Sequence, residues 1–167
     1  MNWLQSREAV IVDVDGTLCD VSTALHHLPN FDAFHAASRL CPPTPGVLDW
    51  CARQVAAGRR LVVVTGRKYQ HETLTMEWLA EHLPYRYLGP FMRGDDDSRA
   101  DTEVKRDIYE ILRTDHQLDV VAAIDDRPSI IRLWRSLGVP VTVVHRADWI
   151  QTGETYDDLA ELPRITP

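Results

Sequence analysis

The chain has 167 residues, 44% of them hydrophobic and 26% charged, with a formal net charge of −7 at pH 7. That composition is that of an ordinary globule with a real core, and it excludes a disordered or fibrous chain. The carboxylate surplus argues against a broad electrostatic footprint on nucleic-acid duplex, although it leaves room to grip one phosphorylated end.

A chain of this length suits one domain and is short for two, so a single domain over residues 1–167 is expected, with a core over about 8–145 and a weakly patterned tail over 146–167. No apolar run approaches membrane-spanning length, and the N-terminus lacks the basic and apolar regions of a secretory signal. A cytoplasmic location with no membrane partner is expected. Cys19, Cys41 and Cys51 are odd in number and without metal-ligand spacing, which predicts reduced thiols. Oligomeric state is left open.

In chain order, Ala9 to Val14 is an apolar run that predicts a buried strand, and Arg60 to Thr65, Val120 to Asp125 and Val139 to Val144 predict three more. Thr44 followed by Pro45 predicts a helix that Gly58 ends. A further helix is predicted over His71 to Leu83. Gly94 to Asp101 is a polar loop, and Asp101 is placed to cap a helix whose Val104, Ile108, Ile111 and Leu112 have helical spacing. Pro128 opens another helix, with Ile130, Leu133, Trp134 and Leu137 on one stripe and Gly138 as its stop. A short helix is predicted near Tyr156 to Leu162. Continuous apolar strands alternating with amphipathic helices predict an α/β fold, doubly wound, with a mostly parallel sheet covered on both faces. Such sheets bind ligands at the carboxyl ends of their strands.

The polar residues fall at those ends. Asp13 and Asp15 close the first strand, where period two starts both carboxylates on one side. Thr65-Gly66-Arg67 closes the second and Asp125-Asp126-Arg127 a later one, while Lys105 lies in the first turn of the Asp101 helix. Each has an innocent reading as turn chemistry, a helix cap or a solvated charge. Together they suit phosphoryl transfer, in which a protein mainly positions groups and neutralises charge. Carboxylates alone would repel a phosphate, so Asp13, Asp15, Asp125 and Asp126 make sense around a hard cation, and oxygen ligands favour Mg²⁺. One carboxylate can then attack phosphorus while another handles the proton.

"DVDGT", Thr65, Lys105 and Asp125-Asp126 stand in the order of the four motifs of haloacid dehalogenase-like phosphohydrolases, which the chain resembles from about residue 8 to residue 145. The resemblance implies a Rossmann-like core with Asp13 as nucleophile and Asp15 as general acid and base. It also implies Mg²⁺ held by Asp13, the main-chain carbonyl of Asp15, Asp125 and Asp126, with Thr65 and Lys105 on the phosphoryl oxygens. More narrowly, "VVVTGR", "MRGDDDSRADTEVKRDIYEIL" and "AIDDRPSIIRLWRSLGV" resemble the phosphatase domain of bacteriophage-type polynucleotide kinase/phosphatase, which removes 3'-phosphates from nucleic-acid ends. Arg67, Arg93, Asp97, Arg99, Asp101 and Arg127 match polar positions of that pattern. By it, Gly66, Arg67, Arg93, Arg99 and Arg127 would bind substrate, with Arg67 and Arg93 on the phosphate or leaving nucleotide, and Asp101 would orient Lys105 or an arginine.

Two departures stand out. No G-x-x-x-x-G-K-[ST] stretch occurs, so no kinase domain is expected in this chain. Leu18 to Pro43, with His26, His27 and His35, does not match the phage domain. Short spacings between motifs leave no room for a large lid, so a minimal cap and an open site are expected. The leading expectation is therefore a phosphatase for 3'-phosphorylated DNA or RNA ends. A phosphatase for nucleoside monophosphates or other small phosphomonoesters is the alternative, slightly favoured by the negative charge. A signalling receiver also clusters Asp, Thr and Lys around magnesium, but it needs no Asp15 to protonate a leaving group.

Overall fold

A computed structural model of the chain describes residues 6–167. Its centre is one six-stranded sheet: β1 (Glu8–Val12), β2 (Arg60–Lys68), β3 (Tyr87–Arg93), β4 (Asp119–Asp125), β5 (Val141–Val144) and β6 (Arg164–Ile165). Their order is β3-β2-β1-β4-β5-β6, and every neighbouring pair is parallel. The helices are α1 (Phe31–Ser38), α2 (Pro45–Ala56), α3 (Glu72–His82), α4 (Asp101–Thr114) and α5 (Pro128–Ser136).

The apolar runs form central strands because both of their faces are covered. Ala9 and Ile11 of β1, with Val62 and Val64 of β2, pack against Val104, Ile108 and Leu112 of α4 and Ile130 and Trp134 of α5. The alternate residues Val10, Val12, Leu61 and Val63 face the opposite layer of Val47 and Trp50 from α2 and Trp78 and Leu79 from α3. Period two along each strand thus feeds two cores. The chain runs outward from β1 to β3 and returns to β4 on the other side of β1, so the crevice at the carboxyl ends of β1 and β4 is the topological switch point of the sheet.

Several boundaries differ from the sequence reading. β1 ends at Val12, and Val14 to Thr17 turn sharply with Gly16 at φ 80°. β2 continues through Thr65-Gly66-Arg67 to Lys68, because Lys68 still pairs with Arg93 of β3. The β3 strand itself was hidden by its Gly89-Pro90 pair, which suits an edge strand but looks like a breaker. α1 is also unforeseen: Asn30 caps it by accepting from the Ala33 N–H at 3.1 Å. Thr44 precedes α2 but its hydroxyl makes no cap bond, and α4 starts on Asp101 itself, with the Glu103 carboxylate accepting from the Ala100 N–H. Ile111 of α4 is 40% exposed, while Tyr109 is buried. The tail gives one 3-10 turn (Asp157–Leu159) instead of a helix and the two-residue strand β6. Cys19, Cys41 and Cys51 are free and buried. Among the described residues no helix is long and apolar enough to cross a membrane.

Leu112 has no exposed surface and sits between α4 and the sheet. Leu112→Ala is expected to lower unfolding stability in urea by roughly 2–5 kcal/mol, against about 0.5 kcal/mol or less for Ile111→Ala.

Candidate active site

All twelve residues singled out from the sequence line one cleft of about 950 Å³ at the carboxyl edge of the sheet. Its floor is the switch point. Asp13 follows β1 and donates its N–H to the Ile124 carbonyl of β4 at 3.3 Å, which places it beside Asp125 and Asp126 at the end of that strand. Lys105, one turn into α4, reaches across: its ammonium donates to Asp13 Oδ1 at 2.7 Å and to Asp125 Oδ2 at 2.9 Å. All four groups are buried.

One lysine cannot neutralise three carboxylates. Burial, with Asp125 and Asp126 nearby, drives the Asp13 carboxyl well above the usual range despite the opposing pull of Lys105. Burial and then Asp125 push Asp126 up to about 7. Burial pulls the Lys105 ammonium toward deprotonation, but Asp125 and Asp13 outweigh it and raise its pKa. Asp13, Asp125 and Asp126 each offer an oxygen within 4.8 Å of the others. An all-oxygen set with excess negative charge fits a hard divalent cation.

Asp126 is held by neutral donors: the Thr17 hydroxyl at 2.9 Å from one oxygen and the Trp149 indole N–H at 2.9 Å from the other. The Tyr156 hydroxyl donates to the Asp126 main-chain carbonyl. Gly16 makes this approach possible, because a Cβ there would meet Asp126 Oδ2 at 2.2 Å in a backbone conformation that already favours glycine.

Asp15 belongs to a separate system. The turn after Val12 sends its carboxylate to Arg67, which donates to its two oxygens at 2.8 and 2.5 Å. Arg67 also donates to Ser38 Oγ of α1 at 2.9 Å and Thr75 Oγ1 of α3 at 3.0 Å, and it is 2% exposed. Burial tends to raise the Asp15 pKa, but Arg67 lowers it further, and the net shift is down. The two carboxylates of the DVD stretch therefore avoid mutual repulsion by facing different cations.

The remaining arginines are engaged with protein groups. Arg93 donates to the carbonyls of Gly66, Asp97 and Arg99 and to Asp101 Oδ1, pinning the 94–101 loop. Asp101 thus orients Arg93, and lies 3.6 Å from Arg127 Nη1; its hydrogen bond goes to Arg93 and not to Lys105. Gly66 makes room for it, since a Cβ there would meet Asp101 Oδ1 at 2.4 Å. Arg99 is half exposed and paired with Asp97 and Asp107. Arg127 donates to Glu154 at 3.1 Å and stacks over Trp149 at 5.1 Å. Thr65 is buried, and its hydroxyl accepts from the Arg67 N–H at 3.3 Å.

Sequence reasoning missed Lys68, Trp149 and Tyr156. Lys68 follows directly on Arg67, but Trp149 and Tyr156 lie in a tail with no periodicity to mark them. The His26 and His27 rings lie against each other, 4.0 Å apart, and do not line the cleft, whereas His35 does.

This geometry is that of a haloacid dehalogenase-like phosphatase. More narrowly, residues 7–149 match the family model of the polynucleotide kinase PNKP phosphatase domain, and the chain belongs to that family of phosphoric monoester hydrolases. A protein of Autographa californica nuclear polyhedrosis virus, provisionally named a bifunctional polynucleotide kinase/RNA ligase, is 26% identical over 148 residues, covering 86% of this chain and 20% of its own length. A chain of the Pnkp1/Rnl/Hen1 complex is similar in structure, with a TM-score of 0.70 and 23% identity over 84% of this chain and 47% of that one. The chain thus spans about a fifth and about half of these relatives. CbbY from Rhodobacter sphaeroides shares the fold, with a TM-score of 0.64 and 14% identity over 94% of this chain and 92% of its own.

His35 is buried, and desolvation drops its pKa from an ordinary 6.5 to about 4. Between those values the unfolded chain takes up a proton that the folded protein does not, so stability falls as pH drops from 6.5 to 4. His35→Phe is expected to flatten this part of the stability profile by on the order of 3 kcal/mol, read from urea unfolding at a series of pH values.

Proposed function

We propose that the protein is a Mg²⁺-dependent polynucleotide 3'-phosphatase that works through an aspartyl-phosphate on Asp13. The observation that carries this reading is the pairing of Asp13 and Lys105 at 2.7 Å beside Asp125 and Asp126, within a chain of the PNKP phosphatase family. Asp13, Asp125 and Asp126, with the main-chain carbonyl of Asp15, would hold the cation, which supplies charge neutralisation for the phosphoryl oxygens and keeps the carboxylates ionised.

In the first step an Asp13 carboxylate oxygen forms a bond to phosphorus, and the bond from phosphorus to the leaving 3'-oxygen breaks. Lys105 and Thr65 face the equatorial oxygens, with Lys105 fixed by Asp125 at 2.9 Å. Because Arg67 holds Asp15 ionised in the resting site, the proton that Asp15 passes to the leaving oxygen enters with the monoprotonated phosphate. Asp15 is then a carboxylate again, ready to take a proton from the water that attacks the acyl phosphate and returns Asp13. Arg93, Asp101 and Arg127 keep the cleft wall in shape. Arg99, half exposed at its mouth, is a substrate contact in this reading. A small phosphomonoester as the natural substrate is the competing reading, favoured by the net charge of −7.

Phosphate release is expected to be fastest from a 3'-phosphorylated oligonucleotide, compared with its 5'-phosphorylated counterpart and with 3'- and 5'-mononucleotides. Asp13→Asn should lower it by about 10³-fold or more, and chelation of divalent metal should abolish it until Mg²⁺ is restored. Faster hydrolysis of mononucleotides, equally lost in Asp13→Asn, would keep the chemistry and replace the substrate.

A further inference from the structure

One wall of the cleft is built from residues 25–35, around the start of α1. Leu25, Leu28 and Phe31 line it, and Phe31 is 62% exposed although it opens α1, where an aromatic ring on solvent gains nothing for the fold. Lys68, at the end of β2, also lines the cleft, and its ammonium has no ion pair or hydrogen bond among the described residues, whereas the five arginines lining this cleft are all tied to protein groups. The segment after Lys68 is joined to α1, since the Gln70 side-chain amide donates to Asp32 Oδ1 at 3.2 Å. The His35 ring lies 6.2 Å from that of Phe31 between centroids and is 6% exposed, with its Nδ1 turned to Asp15 Oδ2 at 3.8 Å. An open aromatic face and a free cation thus share one cavity with the acidic floor.

We infer that this wall is the subsite for the nucleoside bearing the scissile phosphate. Its base, unpaired so that a face is free, stacks on Phe31. The phosphodiester on its 5' side pairs with Lys68. The occupant is therefore a single-stranded 3'-phosphorylated end, chosen over a peptide or lipid because ring stacking and one backbone charge are what the wall offers beside a phosphoryl site. This inference rests on the 3'-phosphatase reading.

The test compares Phe31→Ala, Phe31→Trp and Lys68→Ala with wild type on three substrates: a single-stranded 3'-phosphorylated oligonucleotide, a 3'-mononucleotide and β-glycerol phosphate. Phe31→Ala should raise KM about tenfold for both nucleotide substrates and leave β-glycerol phosphate unchanged, with Phe31→Trp close to wild type. Lys68→Ala should raise KM for the oligonucleotide alone and flatten its salt dependence. An unchanged KM in Phe31→Ala, or an equal loss on β-glycerol phosphate, overturns the subsite. Wild-type turnover of β-glycerol phosphate that exceeds that of the oligonucleotide overturns the 3'-phosphatase reading instead, and is read from the wild-type rows alone.

Discussion

Three buried carboxylates beside a single ammonium are the constraint on which the rest of the molecule depends. Negative charge out of water is costly unless it is paired and hydrogen-bonded. Lys105 answers for Asp13 and Asp125, and Thr17, Trp149 and Tyr156 answer for Asp126 and its carbonyl. These partners come from the turn after β1, from α4 and from the tail, so holding one square of charge brings together three segments distant in the chain. The charge still left over is what a cation would relieve.

A second electrostatic system stands beside the first and stays separate from it. Arg67 joins Asp15 to Ser38 of α1 and Thr75 of α3, so two helices, the turn after β1 and the sheet are fastened by one guanidinium. Arg93 and Asp101 do the same for the 94–101 loop. These planar, many-donor groups can satisfy several acceptors at once, which lysine could not do at the same positions.

The central strands were legible because their apolar runs are continuous, and the polar residues at their ends were legible because a doubly wound sheet collects them. β3 was not, because an edge strand tolerates Gly89-Pro90 where a central one would not. α1 was obscured by a segment whose buried residues include His35 and Ser38, polar types that carry no periodic signal. The direction of Asp15 was also hidden: period two holds only while the strand lasts, and β1 ends at Val12, two residues short of the apolar run and ahead of the turn at Gly16. Trp149 bonds to Asp126 through a single indole N–H, which leaves no pattern in sequence. Arg67 and Arg93 were found by their place in the motifs, but only the packed structure gives their partners.

The order β3-β2-β1-β4-β5-β6 has a consequence for how the chain is made. During synthesis β1, β2 and β3 emerge with α1 to α3 before β4 exists, and one flank of β1 then presents the unpaired edge of Ala9 to Val12. Such an edge is a template for pairing with another chain until its own partner arrives. Asp13 closes that strand with a charge, so a nascent chain carries at the end of its most adhesive segment the same carboxylate that the finished sheet buries.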